Sequence, residues 1–136
     1  MKPLLAAIRI KKVTAEATDV VIINQKVGGS ASQNAEIKFG LGPDNKSLVQ
    51  ATMTMDATVF VESTEEVLLN VHGEFEGVFV ELEPEIDDSS TPADAKKAAD
   101  FYSAQLYPHA ILHINRIFYE MGYGLIKLDV KYPAAL

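Results

Sequence analysis

The sequence predicts one α+β domain: a four-stranded antiparallel sheet with a C-terminal helix packed on one face. Three observations carry that expectation. Residues Val49 to Val61 alternate apolar and polar with period two, Val67 to Phe79 repeats the alternation, and after Pro92 the apolar spacing becomes helical.

The first strand is expected from about Leu4 to Val13, with Lys11 and Lys12 suiting an edge that discourages further pairing. Asp19 to Ile23 either extends it or forms a short piece of its own. Gly28-Gly29-Ser30-Ala31-Ser32 reads as a flexible loop. A second strand carries Ala35, Ile37, Phe39 and Leu41 on one face and Glu36 and Lys38 on the other. It ends at Gly42-Pro43-Asp44-Asn45, where Pro presets φ and Asp and Asn tolerate the bend.

The third strand is the clearest. Val49, Ala51, Met53, Met55, Ala57, Val59 and Val61 form its inward set against Gln50, Thr52, Thr54, Asp56 and Thr58, with Phe60 breaking the polar face. Glu62-Ser63-Thr64-Glu65 is short enough for a hairpin. In the fourth strand Val67, Leu69, Val71, Phe75 and Phe79 share the inward face with Gly73 and Gly77. Leu68, Asn70, His72, Glu74 and Glu76 take the other. Glycine inside a strand marks a bulge or a close approach by another element.

Pro84 and the run Asp87 to Pro92 end the sheet and open a helix. Ala93 to Leu106 is helix-forming, Pro108 is expected to start a second stretch from His109 to Met121, and Gly122 caps it. Ala110, Ile114, Ile117, Phe118 and Met121 form a stripe that should face the sheet. Leu112, Asn115 and Tyr119 form a second, partly apolar stripe, which points to self-association. Leu125 to Lys131 alternates as an extended tail.

At 136 residues the chain holds one domain, and 48% hydrophobic with 23% charged residues is a globular balance. With no cysteine there is neither a disulfide framework nor a thiolate zinc site. The amino terminus lacks the long apolar run and cleavage site of a signal peptide, and no run suits a membrane helix, so cytoplasm is expected. The net charge is −7, and no Lys or Arg occurs between Lys46 and Lys96. Nucleic acid is therefore not an expected partner. The acidic residues are either plainly solvated or matched to a basic protein surface or an extended cationic peptide.

Catalytic and metal chemistry find little support. His109 and His113 stand four apart on a helix, but Ala110 sits where a zinc protease carries Glu, and no third ligand follows on that face. His72, Glu74 and Glu76 share an open strand face without a supporting shell. There is no nucleophile elbow, and Gly28-Gly29-Ser30 does not lead into a Lys-Ser or Lys-Thr helix start. No enzyme activity, metal or cofactor is expected.

Leu106-Tyr107-Pro108-His109-Ala110, the glycines Gly122 and Gly124, and Leu125-Ile126-Lys127-Leu128-Asp129-Val130 resemble the SecB-type export chaperones. The likeness lies in an aromatic-Pro pair, the glycine that follows the helix, and a Leu-x-Leu extension. Glu74-Phe75-Glu76-Gly77-Val78-Phe79 resembles the end of that family's fourth strand. The resemblance implies an ATP-independent chaperone, a dimer or homotetramer, that holds unfolded or export-bound polypeptides and engages either a SecA-type motor or one specific protein. Two departures stand out: Ile111 replaces the family's usual Arg, and the chain stops at Leu136, where exporting members continue into another helix. They set a second reading beside the first, a binding module or inhibitor for one protein partner of toxin–antitoxin or phage type. A third is a small enzyme or ligand-binder whose sheet wraps its helix, as in thioesterase-like folds.

A chaperone must offer apolar surface and stay soluble, and high acidity with sheltered aromatic grooves does both. Phe60, Phe79, Phe101, Tyr102, Leu106 and Tyr107 are the candidate polypeptide-binding residues, with ordinary core as the competing role for Phe101, Leu106 and Tyr107. Leu112, Asn115 and Tyr119 are the candidate oligomer interface.

Overall fold

The computed structural model describes residues 4–18, 26–42, 47–81, 92–124 and 126–129. Strands β1 (Leu4–Ala17), β2 (Val27–Leu41), β3 (Ser47–Val61) and β4 (Val67–Glu81) precede one helix, α1 (Pro92–Glu120). The strands form a single sheet in the order β1-β4-β3-β2, and every pair is antiparallel. β2, β3 and β4 follow one another as hairpins and β1 returns beside β4, a Greek-key order that leaves β1 and β2 at the edges.

The alternation in β3 becomes a two-faced strand. Its seven inward residues, Val49 to Val61 at every second position, are at most 1% exposed. Helix α1 lies on that face, packed over β3, β4 and β2, and brings down Tyr102, Leu106, Ala110, Ile111, Ile114 and Phe118. Each large side chain so buried contributes about 1.5–3 kcal/mol. At Gly73 a Cβ would stand 2.6 Å from the Phe75 ring, so glycine there makes room for that ring beneath the helix, with Ile114 Cδ1 in ordinary contact at 3.6 Å. The far end of α1 closes as expected. Gly122 takes φ +94°, its N–H donates to the Tyr119 carbonyl at 3.1 Å, and the Tyr123 N–H donates to the Phe118 carbonyl at 2.8 Å.

Five expectations need correction. β1 runs to Ala17 because main-chain pairing with β4 continues to Leu69, although Thr14 to Ala17 are exposed and carry no apolar signal. Asp19 to Ile23 lies outside the described residues, as do Pro43 to Asn45 of the predicted turn. Gly28 to Ser32 is strand rather than loop, paired with Asp56 to Phe60 and reinforced by a 3.0 Å hydroxyl contact between Ser30 and Thr58.

In β4 a bulge overturns the predicted faces of two residues. Val59 pairs with Leu69 and Phe60 with Val67, which leaves Leu68 as the extra residue. Leu68 is therefore fully buried and Val67 is 36% exposed. The turn at residues 62–64 feeds this bulge, with Glu65 at φ 60°. Pro108 does not interrupt α1, which is one helix of 29 residues. Its missing N–H costs about 3 kcal/mol, and the buried residues on both sides of it hold the turn. Met121 lies at the helix end and is 39% exposed rather than part of the sheet-facing stripe.

Candidate functional site

The features that can receive another molecule gather where α1 meets the edge strand β2. Along one end of that seam the chain has laid its own extended segment, residues 126–129. A Cβ at Gly29 would stand 2.6 Å from Ile126 Cγ2 and 3.5 Å from Leu128 Cδ2, so only a bare backbone lets the segment lie this close to β2. Ile126 and Leu128 pack on the core while Lys127 and Asp129 face out. From the helix side, Asn115 Nδ2 donates to the Leu128 carbonyl at 3.0 Å and the Leu128 N–H donates to Asn115 Oδ1 at 2.7 Å. The Tyr107 hydroxyl donates to the Asp129 carbonyl at 3.3 Å.

Toward the other end of β2 the seam is open. A cavity of about 460 Å³ lies between Gln33, Ala35, Ile37 and Phe39 of β2 and Ala99, Asp100 and Ser103 of α1. It is within the size range of ligand pockets. Gln33 stands opposite the buried Met55, on the helix-facing side of the strand, and its Oε1 is buried without a hydrogen-bond partner among the described residues. An unpaired buried acceptor costs free energy, so this glutamine asks for a donor.

The cavity ends against an aromatic cluster centred on Tyr102. Ring centroids of Phe79, Phe101 and Phe39 lie 4.9, 5.5 and 6.3 Å from it. Tyr102 and Phe79 are buried, whereas Phe39 is 38% and Phe101 43% exposed.

The six residues expected to bind polypeptide therefore divide. Phe79, Tyr102, Leu106 and Tyr107 are core side chains between sheet and helix. Phe101 is exposed against Tyr102 and does not line the cavity, whose helix side is Ala99, Asp100 and Ser103. Phe60 is half-buried on the opposite sheet face, beside Thr58, Glu65 and Val67. The structure does not bring Phe60 and Phe101 together. Of the expected interface residues, Leu112 and Tyr119 are 58% and 73% exposed, while Asn115 is engaged with the tail.

Phe39, Gln33, Ile37, Ala99 and Ser103 were not among the expected site residues. The inward frame Ala35-Ile37-Phe39, extended backwards by twos, reaches Gln33, Ala31 and Gly29, and that continuation was the available signal.

The outer sheet face carries paired charges. Glu76 is only 7% exposed, with Arg9 at 3.2 Å and Lys11 at 3.9 Å. His72 Nδ1 lies 2.7 Å from Asp56 Oδ1. His109 is exposed, and His113 sits against the Phe75 ring at 6.0 Å between centroids. No helix among the described residues is long and apolar enough to cross a membrane.

A four-stranded antiparallel sheet in this order, with one long C-terminal helix and an extension folded back beside it, is the SecB-like fold. Among solved structures it is similar to the Mycobacterium tuberculosis Rv1957 SecB-like chaperone, determined in complex with a ChAD peptide from the Rv1956 HigA1 antitoxin. The TM-score is 0.72 at 13% identity, covering 93% of this chain and 89% of that one. No protein-family model and no curated protein sequence matches the chain.

Proposed function

We propose that this protein is an ATP-independent holding chaperone of the SecB-like type that captures extended polypeptide in the groove between α1 and β2. The observation that carries the reading is the groove itself, which already holds an extended stretch of its own chain through Asn115 and Gly29 and stays open beyond it. Main-chain contacts suit a client of any sequence, and a free strand edge beside apolar pockets is a recurring way to bind extended peptides.

In this reading Phe101 and Phe39 contact the client, while Phe79, Tyr102, Leu106 and Tyr107 form the wall that holds those rings in place. Phe60 serves a separate contact on the outer face. The chain works without a cofactor in the cytoplasm, as a homo-oligomer that uses Leu112 and Tyr119, and delivery to a SecA-type motor is one use of the held client. A second reading, a module dedicated to one partner, is favoured by the antitoxin peptide bound to the similar Rv1957 chaperone.

Light scattering during refolding of a slow-folding protein separates the two. Suppression of aggregation without nucleotide supports the holding chaperone. Unchanged aggregation with tight binding of one protein supports the dedicated module.

A further inference from the structure

We infer that the open end of the α1/β2 groove is a peptide subsite that selects a side chain carrying a hydrogen-bond donor on an apolar body, read by Gln33. The inference rests on the groove being the client site and adds what that site prefers. The occupant is an extended polypeptide segment, because residues 126–129 show what this seam holds: a chain in extended form, gripped through its main chain by α1 and lying flat on β2. The segment's last described contact is Asp129 with Tyr107, one helical turn from Ser103, where the cavity begins.

On the other side β2 is an edge strand, so its outward N–H and C=O groups are available to an added strand among the described residues. A strand laid there puts alternate side chains beside the helix-facing row Gln33, Ala35, Ile37 and Phe39, on the same face.

The chemistry of the cavity narrows the choice. Ala35, Ile37, Phe39 and Ala99 are apolar and favour a large apolar body. Gln33 is a polar residue in an inward position, and its Oε1 lacks a partner among the described residues. The terminal torsion of a glutamine is broad, so the amide can turn toward an occupant at small cost. Its demand is met by a phenol or indole donor, and an all-hydrocarbon ring leaves it unmet. Asp100 is exposed where it borders the cavity, and with a net charge of −7 it favours lysine or arginine beside the anchoring residue.

The test is a fluorescence anisotropy titration of the full chain with two labelled peptides. Both are lysine-flanked and extended, and they differ only in a central Tyr or Phe. The Tyr peptide is expected to bind about threefold to tenfold more tightly to wild type, the net worth of one neutral hydrogen bond. Gln33→Leu should bind both equally, and Ala99→Phe, which fills the cavity, should bind neither, with circular dichroism confirming that each variant folds. Equal binding of both peptides by wild type, or a preference that survives Gln33→Leu, overturns the role of Gln33 and leaves the groove reading intact if Ala99→Phe still abolishes binding. If neither peptide binds and Ala99→Phe instead changes the oligomeric state, the cavity belongs to a second copy of the chain and both readings fall.

Discussion

Asn115 grips Leu128 with both ends of its side-chain amide, donating to the carbonyl at 3.0 Å and accepting from the N–H at 2.7 Å. A neighbouring β-strand would make the same pair of bonds. One helical side chain thus does the work of a strand partner and fixes an extended segment beside β2.

Asn115→Leu removes both bonds and leaves two main-chain groups of Leu128 in a half-buried setting. A loss of about 1–3 kcal/mol in stability is expected, with faster hydrogen exchange at Leu128 and unchanged exchange in β3. Urea unfolding and exchange mass spectrometry measure the two effects.

Gly29→Val should push the tail off the strand, since a Cβ at this position would lie 2.6 Å from Ile126. A compensating Ile126→Ala in the same chain should recover part of the loss. A double-mutant cycle gives the coupling, expected at about 0.5–3 kcal/mol for residues in contact.

Leu68 and Val67 offer a sharper comparison, because alternation and structure assign their faces oppositely. Leu68 is fully buried and Val67 is 36% exposed. Leu68→Ala should cost about 2–5 kcal/mol and Val67→Ala much less. Thermal denaturation of the two variants decides it, and the reverse order would remove the bulge.

Leu112→Asp tests self-association through the outer side of α1, where Leu112 and Tyr119 stand exposed. Multi-angle light scattering should show a smaller species than wild type. A monomeric wild type at micromolar concentration, or an unchanged variant, assigns that surface another purpose.

What could be read in advance follows from which forces are local. β3 was legible because it lies between two strands and under a helix, so its inward apolar set from Val49 to Val61 is unbroken. The bulge at Leu68 was not, because register is set by the partner strand and not by the residue. Gly28 to Ser32 read as a loop since small polar residues carry no burial signal, yet a Cβ at Gly29 would stand 2.6 Å from Ile126 of the tail. Pro108 read as a break because local propensity disfavours it, and tertiary burial on both sides prevailed. At the cavity, Phe39 was visible as an inward-facing aromatic of the second strand. Gln33 was hidden, since a glutamine reveals its inward position only once β2 is seen to begin at Val27.

The most direct test of client capture in the α1/β2 groove is site-specific photo-cross-linking to an unfolded client. A photoreactive side chain is placed at Ile37 in the groove and, in a second protein, at Thr54 on the outer sheet face. Client cross-links at Ile37 that fade when excess extended peptide is added, with few at Thr54, are the expected result. Cross-links concentrated at Thr54, or equal at both positions and insensitive to peptide, would contradict capture in the groove.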